Sequence, residues 1–405
     1  MPALGGGYKR TGRATIETAL PRGEHMTIAA VVGAGFAGLI IARELARSGV
    51  SVDIYEEHRK VGYPKHCTGL VSERTVRLIG RPALESLEAW IGSLEMRAGQ
   101  EAIQVPVRVA RLDRVKLEEL LLEEASSLGA RSFLGARIER VILEGNSVTL
   151  SLGHSKKKYD YVVIAEGLHG HLRKHLGIRH EPVTSIGLNL DVPCTQGSLL
   201  TVIAGQGRGV WFSWLAPAGT NRTVVGALGP LPGAVKREAQ ALARRCGGPL
   251  EIYGGRVIHG PPLEPSKAAG KNYLIAGDAA ALNKPLTGGG LYPGSLLASL
   301  TREAISRGLD LARAASAAYK MVYRELKRQH ALAMPLLRGG LYIVVREAAR
   351  AGLNLGGEPI DYDRHASLPW VALRRSPGRA LLLALHLLLA SPRTALQLVL
   401  GALLG

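Results

Sequence analysis

Three short, wholly apolar runs in this chain have the pattern of buried strands in a parallel sheet. They are Ile28 to Val32, Tyr161 to Ala165 and Tyr273 to Ala276. The first run is followed by residues with helical periodicity and then by a second strand that ends at Glu56. A strand, a helix and a strand in this order predict a βαβ unit, from which doubly wound α/β sheets are built.

A different pattern covers residues 184–262. Apolar and polar positions alternate there in regularly spaced segments, SIGLNLDV, LLTVIAG, VWFSWLAP and RTVVGALG, which is typical of antiparallel strands. We therefore expect an α/β protein with an antiparallel-sheet substrate domain inserted into a discontinuous Rossmann-like domain of residues 26–183 and 263–310. Residues 311–405 are predicted to be a helical C-terminal region. Residues 1–25 lack the apolar core of a secretory signal and are predicted to be a disordered extension.

The turn after the first strand reads Gly33-Ala-Gly35-Phe-Ala-Gly38, which matches the dinucleotide-binding pattern. Gly33 permits the tight turn, Gly35 lets the backbone approach a pyrophosphate, and Gly38 lets the helix and strand pack closely. Glu56 is positioned to accept hydrogen bonds from an unphosphorylated adenosine ribose, as in FAD or NAD. A glycine-rich turn without a ligand is the alternative, and the strand, helix and acid around the turn disfavour it.

A second glycine-rich segment follows the apolar strand that starts at Tyr273. It places Asp278 at the carboxyl end of that strand and Gly288-Gly289-Gly290 just before an apolar helix that begins near Leu291. The positive N-terminal end of this helix would stabilise the negative charge that a flavin gains at its N1–C2=O region on reduction. Together, the two glycine segments predict FAD as the cofactor.

The loop after Glu56 contains Cys67, with Lys65 two positions before it. A basic neighbourhood makes a thiol more reactive, so Cys67 is a candidate catalytic residue, and a packed structural thiol is the alternative. The three cysteines, which also include Cys194 and Cys246, are few and scattered. We therefore expect no disulfide framework, no bound metal and a reducing, cytoplasmic environment.

The net charge of +18, from 51 Lys and Arg against 33 Asp and Glu, indicates an anionic partner. With only 5% aromatic residues, the chain is poorly suited to stacking nucleic-acid bases, so we expect no nucleic acid. The remaining anionic partners are a phosphate-bearing substrate and an anionic membrane surface. The alternative is a basic surface that is merely solvated.

Residues 380–405 contain two apolar runs, each too short to span a bilayer of roughly 30 Å. We expect them to lie peripherally at the inner face of the cell membrane. A helical hairpin packed on the protein itself or on a second subunit is the alternative.

The glycine motifs, together with Asp113-Arg114 at a helix start and Ala165-Glu166-Gly167, resemble the FAD-dependent superfamily of the hydroxybenzoate hydroxylase fold. The segment YPKHCTG around Cys67 resembles the cysteine loop of the geranylgeranyl reductases. The segment from Phe212 to Pro217 is similar to their substrate-domain signature, and Ile360-Asp361-Tyr362-Asp363 resembles archaeal-type members. The resemblance covers residues 26–365.

This resemblance implies roles at matching positions of the present sequence. The implied FAD contacts are Ala37, Glu56, Cys67, Gly69, Arg114, Asp278, Gly290 and Leu291. Phe212, Trp214 and Pro217 are implied to bind the substrate in an apolar tunnel. The implied reaction is reduction of isolated prenyl double bonds in geranylgeranyl chains of ether phospholipid precursors by a hydride and a proton, with Cys67 a candidate for the proton path.

Two other activities stay open from the residues alone. One is an aromatic hydroxylase of the same superfamily, which would use NAD(P)H and O₂. The other is a flavin-bearing polyprenyl cyclase or isomerase without net redox change, and a non-catalytic membrane-associated flavoprotein is a weaker possibility. The electron donor is also open between NAD(P)H, for which there is no second fingerprint, and a ferredoxin, which a basic surface would suit.

Overall fold

The computed structural model describes residues 27–195, 197–207 and 209–404. The predicted disordered extension, residues 1–25, lies outside the described residues. The strands are β1 Ile28–Val32, β2 Ser51–Glu56, β3 Leu70–Ser72, β4 Leu87–Ala98, β5 Glu101–Leu112, β6 Arg131–Leu134, β7 Arg140–Glu144, β8 Ser147–Leu152, β9 Ser155–Tyr159, β10 Tyr161–Ile164, β11 Thr184–Val192, β12 Leu199–Ala204, β13 Phe212–Pro217, β14 Thr223–Gly229, β15 Glu251–Ile258 and β16 Tyr273–Ile275.

The α-helices alternate with these strands and then follow them. They are α1 Phe36–Arg47, α2 Glu73–Ile79, α3 Arg81–Glu85, α4 Arg114–Ser127, α5 His171–His175, α6 Pro232–Arg244, α7 Pro265–Ala268, α8 Leu291–Ser306, α9 Leu311–Pro335, α10 Leu341–Arg350, α11 Leu368–Arg375, α12 Pro377–Ala390 and α13 Pro392–Leu404. The side chains of Ser72 and Asp113 cap α2 and α4, because each accepts hydrogen bonds from backbone N–H groups of the first helical turn.

The first sheet has the strand order β16-β10-β1-β2-β6, and all its strands are parallel. Its central strands β1 and β10 are apolar because α1, α4 and α8 belong to the same buried cluster and shield them from water. The predicted Rossmann-like domain is therefore confirmed. A small antiparallel sheet, β7-β8-β9, extends from it.

The second sheet has the strand order β15-β11-β14-β13-β12-β4-β5-β3. The predicted block of residues 184–262 supplies strands β11 to β15, which are antiparallel as expected. Strands β3 to β5 come from residues 70–112, which the sequence pattern assigned to the first domain, and β4 joins β12 in parallel. Hydrophobic alternation marks a strand but not its partner, so the predicted domain boundaries remain a prediction.

Helices α10 and α11 pack against the second sheet. Leu341 and Val345 on α10 pack in one buried apolar cluster with Val105 and Val107 on β5. The predicted helical C-terminal region is thus observed through α13. Among the described residues, no helix combines the length and the apolar character needed to cross a bilayer.

The sequence led us to expect no disulfide framework, and the structure corrects this with one disulfide bond. Cys194 and Cys246 are bonded to each other, with a Cα–Cα distance of 5.4 Å across a sequence separation of 52. Cys194 follows β11 and Cys246 follows α6, and both pack in the apolar cluster between that helix and the second sheet. Spacing in the sequence gave no indication of this pairing, because the sheet and helix bring the two residues together.

Candidate active site

The turn between β1 and α1 has the geometry that its glycines predict. Gly33 has a φ of +103°, and a Cβ there would lie 2.3 Å from the carbonyl oxygen of Ala165. A Cβ at Gly38 would lie 1.9 Å from the carbonyl oxygen of Gly33, whereas one at Gly35 would meet no heavy atom within 4 Å. Gly33 and Gly38 thus allow close packing, and Gly35 leaves open space in front of the helix.

That open space has the features of an anion site with a carboxylate beside it. Gly35 is the N-cap of α1 and supplies no side-chain hydrogen bond to the first turn, so backbone N–H groups there are available to a pyrophosphate. The Glu56 carboxylate accepts hydrogen bonds from the N–H groups of Ala34 at 2.7 Å and His58 at 2.9 Å. These contacts hold the acid at the end of β2, beside the turn.

The second glycine segment packs directly on the first. A Cβ at Gly277 would lie 2.7 Å from the Cβ of Ala37, and one at Gly294 in α8 would lie 3.3 Å from the ring of Phe36. The close approach to Ala37 requires a glycine at position 277, and the small residue at position 294 lets Phe36 pack against α8. Two motifs far apart in sequence therefore lie side by side, and the space in front of them is called the cofactor groove below.

Asp278 lies at the corner of that groove. The Asn283 side-chain amide donates to the Asp278 carboxylate at 3.0 Å and to the Gly288 carbonyl oxygen at 3.2 Å. Gly290 is the N-cap of α8, again without a side-chain cap, and Leu291 begins the helix. A Cβ at Gly290 would lie 3.9 Å from the Asp278 carboxylate, so the aspartate, the glycine loop and the helix N-terminus form one cluster.

The loop that contains Cys67 lies between the two sheets. The Thr68 hydroxyl donates to Asn189 on β11 at 2.6 Å, and the Gly69 N–H donates to the Cys67 Sγ at 3.4 Å. Gly69 has a φ of +82°, and a Cβ there would lie 2.2 Å from the carbonyl oxygen of Leu112. The loop conformation therefore depends on this glycine.

Arg114 at the start of α4 links the cysteine loop to the glycine turn. Its guanidinium is paired with Glu118 and lies 5.5 Å from the centre of the Phe36 ring. Burial alone would lower the pKa of Arg114, but the Glu118 carboxylate and the Cys67 thiol raise it, so this side chain stays charged. Burial also raises the pKa of Tyr362, the Lys284 ammonium group opposes this shift, and Asp363 and Cys67 add to it.

A cavity of about 70 Å³ opens beside Cys67 and Arg114. Its lining is strongly charged and consists of Lys65, Cys67, Glu88, Arg111, Asp113, Arg114, Val115, Asp191, Arg222 and Tyr253. Most of these charges are paired, as in the Lys65–Glu251 bridge at 2.8 Å. The cysteine therefore faces a polar environment on this side.

The predicted substrate residues on β13 divide between the two faces of the sheet. Phe212 and Trp214 are buried in the apolar cluster with the C-terminal helices, and their ring centres are 5.9 Å apart. A Cβ at Gly226 would lie 2.2 Å from the indole of Trp214, so the glycine makes room for it. Pro217 is three residues after Trp214 on β13. Because side chains alternate between the two faces of a strand, Pro217 lies on the face opposite to Phe212 and Trp214.

Sequence reasoning missed several residues at this site. Lys284 is buried against the triple-glycine loop, and its ammonium group pairs with the carboxylate of Asp363. Asn283 fixes Asp278, and Phe36 packs under α8. Lys284 carried a signal, since it is the only charged residue in the segment of residues 279–291.

The residues of this groove fit FAD. Within the described part of the chain, three buried polar atoms around it have no hydrogen-bond partner: Arg114 Nε, Asn283 Oδ1 and Thr287 Oγ1. Buried polar atoms are rarely left unpaired in proteins, so these atoms indicate a polar ligand. Two uncapped helix N-termini and an acid at the end of β2 match the pyrophosphate, flavin and ribose of a dinucleotide.

Comparison with known proteins agrees with this geometry. Residues 26–225 match the family model described as an FAD binding domain. The chain is 28% identical over 339 residues to a digeranylgeranylglycerophospholipid reductase of Methanosphaerula palustris, a match that covers 73% of this chain and 80% of that protein. It is also 28% identical over 288 residues to a geranylgeranyl diphosphate reductase of Rhodobacter capsulatus, covering 65% and 70% of the two chains.

Among solved structures, a geranylgeranyl bacteriochlorophyll reductase-like protein from Thermoplasma acidophilum has a TM-score of 0.69. The similarity covers 89% of this chain and 100% of that one at 16% sequence identity, which shows a shared fold. The fold and the groove thus define an FAD-dependent oxidoreductase. Within this class, the chain is similar in sequence to proteins named as geranylgeranyl reductases.

Proposed function

We propose that this protein uses FAD to reduce isolated prenyl double bonds in the geranylgeranyl chains of archaeal-type ether phospholipid precursors. The observation that carries the proposal is the buried apolar cluster around Phe212 and Trp214, which reaches the glycine loop through Leu286. An apolar surface next to a flavin site suits a hydrocarbon chain. The names of the relatives support this substrate class.

An isolated alkene has no carbonyl group to activate it, so its reduction needs a proton on one carbon and a hydride on the next, shielded from water. When bound and reduced, FAD supplies the hydride. The chain contributes an apolar surface, since Trp214 packs in one buried cluster with Leu337, Leu341 and Ile360. This surface would prevent water from adding to a carbon that develops positive charge.

We assign the proton to Cys67. Its thiol is half-buried, lies beside the charged cavity and interacts with Arg114 and Tyr362. The polar groups of the cavity provide a route by which the thiol can take up a new proton after it has donated one. Replacing Cys67 with alanine should slow reduction at least tenfold with FAD still bound, and serine should restore part of the rate. Normal turnover in the alanine variant would show that the thiol is not the proton donor and only packs in the loop.

The reaction is tested anaerobically on the purified holoprotein. The flavin is reduced with dithionite, digeranylgeranylglyceryl phosphate is added, and the flavin spectrum and lipid mass are followed together. We expect flavin reoxidation with two hydrogen atoms gained per reduced double bond. Dithionite makes the result independent of whether NAD(P)H or a ferredoxin is the natural donor. If the lipid mass stays unchanged and only air reoxidises the flavin, the hydroxylase alternative replaces this proposal.

We further propose that α12 and α13 rest on an anionic membrane surface. Leu381, Leu385 and Leu389 are exposed at successive turns of α12, and Leu389 is 76% exposed. A second exposed stripe lies on α13, and Arg393 is in the first turn of that helix. Exposed apolar stripes next to basic residues bind the interface of anionic bilayers. Such a position would bring the active site close to lipid substrates.

Vesicle sedimentation tests this surface on the full chain. Wild-type protein should bind vesicles with anionic lipids and bind neutral vesicles less tightly. The double substitution Leu385→Gln and Leu389→Gln should weaken binding about tenfold, because it removes two side chains from the apolar contact. Leu250→Gln is the matched control, since Leu250 is 65% exposed on another part of the protein. Equal binding by all variants, or dimerisation through these helices in solution, would contradict the proposal.

A further inference from the structure

A fully buried ion pair lies behind the glycine loop. Lys284 and Asp363 have side-chain exposures of 2% and 0%, and the ammonium nitrogen is 2.5 Å from the carboxylate. Removing two charges from water is unfavourable unless further contacts compensate, so a buried pair of this kind is weak evidence for a role in stability alone. Its position relative to the cofactor groove is more informative.

The carboxylate of Asp363 connects separate parts of the chain. It accepts a hydrogen bond from the Ser72 N–H at 2.8 Å and one from the Thr75 hydroxyl at 2.5 Å. The Gln329 side chain on α9 donates to the Asp363 carbonyl oxygen at 3.3 Å. Asp363 therefore fixes Lys284 relative to the start of α2 and to the C-terminal helices.

Lys284 lies directly against the loop predicted to contact the flavin. A Cβ at Gly289 would lie 2.8 Å from Lys284 Cε and 3.4 Å from its Nζ, and the next nearest atom is Thr287 Oγ1 at 3.8 Å. The ammonium group is therefore closer to Gly289 than the Asp363 carboxylate is. The Lys284 N–H also donates to the Gly289 carbonyl oxygen at 3.0 Å, so the backbone of the lysine is bonded to the loop as well.

The surroundings keep the pair ionised. Burial opposes the charge on each group, but the partner charge outweighs it, so the pKa of Lys284 is raised and that of Asp363 is lowered. The Tyr362 ring lies 4.5 Å from the ammonium nitrogen, which adds a cation–π contact. At neutral pH, the loop thus has a fixed dipole behind it with its positive end toward Gly289.

We propose that the Lys284–Asp363 pair is a positioning pair that raises the reduction potential of the bound flavin, with the Lys284 ammonium group favouring the negative charge of the reduced form. Neither residue touches the substrate in this role. The proposal rests on the placement of the flavin at Gly288-Gly289-Gly290. It does not depend on which substrate is reduced, because the flavin potential is measured without one.

The test is the flavin midpoint potential of the holoprotein and two single variants, measured by dye-coupled reductive titration. Lys284→Met leaves the carboxylate uncompensated and should lower the potential, whereas Asp363→Asn leaves the ammonium group uncompensated and should raise it. We expect each change to alter the relative affinity for reduced and oxidised flavin by about tenfold, which is about 30 mV for a two-electron couple. Lys284→Arg should stay close to the wild-type value.

Opposite signs distinguish this role from a merely structural one, which would shift both variants in the same direction. Arg307→Met is the matched control, because Arg307 pairs with Glu303 at the exposed far end of α8. If Lys284→Met does not retain FAD, the nearly isosteric Asp363→Asn decides the question by itself. An unchanged or lowered potential in that variant would overturn the proposal, even if the prenyl reductase activity is confirmed.

Discussion

Replacing Gly35 with alanine should separate cofactor binding from folding. The φ of −73° and ψ of 176° at Gly35 are accessible to alanine, and a Cβ there would project into open space. Gly38 provides the contrast within the same motif, because a Cβ at that position would lie 1.9 Å from the carbonyl oxygen of Gly33. One methyl group therefore meets solvent at the first position and backbone at the second.

The expected magnitudes follow from these contacts. The free energy of unfolding of the Gly35→Ala apoprotein should change by less than about 1 kcal/mol, since alanine restricts the unfolded chain but is a poorer N-cap than glycine. Gly38→Ala should cost about 3 kcal/mol or more, because the backbone has to move. With FAD, the methyl group at position 35 should break one or two charge-assisted hydrogen bonds to the pyrophosphate. At about 1.5 kcal/mol each, affinity falls roughly 10- to 150-fold.

The assay has two parts. Apoprotein is titrated with FAD and followed by flavin fluorescence, and urea unfolding of the apoprotein is measured separately. Gly378→Ala is the matched control, because Gly378 also lies in the first turn of a helix with open space around it. Wild-type FAD affinity in Gly35→Ala would refute the placement of the pyrophosphate. A loss of stability as large as that of Gly38→Ala would refute the claim that the space is open.

Three further predictions concern stability. Reducing the Cys194–Cys246 disulfide should lower the free energy of unfolding by about 4 kcal/mol on the chain-entropy account of a loop of this length; an unchanged urea midpoint with dithiothreitol would contradict this. Burial lowers the pKa of His259 to about 4, so the unfolded chain takes up this proton first and stability should fall as the pH drops from 6.5 toward 4. His259→Gln should flatten that slope by up to about 1.4 kcal/mol per pH unit, and identical slopes would argue against it. Gly226→Ala should destabilise by about 1–3 kcal/mol, because its Cβ would lie 2.2 Å from the Trp214 indole; a variant as stable as the wild type in urea would show that the indole moves aside freely.

Much of the fold and part of the site could be predicted because the signals are local. Short segments carry these signals: the turn from Gly33 to Gly38, the acid at Glu56 and the glycine loop before Leu291. In each, the local backbone conformation or the position at a strand end determines the type of residue. Asp113 and Ser72 are N-caps that follow from the sequence in the same way. The cofactor could therefore be predicted without knowing how distant segments meet. That the two glycine segments lie against each other could be seen only in the structure.

The sequence by itself determined the βαβ unit, the alternating strands of residues 184–262 and the FAD chemistry, because hydrophobic period and glycine placement act over a few residues. Only the tertiary structure decided which segments became neighbours. It paired β4 with β12, bonded Cys194 to Cys246 and set Lys284 against Asp363. These contacts depend on how elements separated by tens of residues pack together, and no local pattern in the chain encodes that packing.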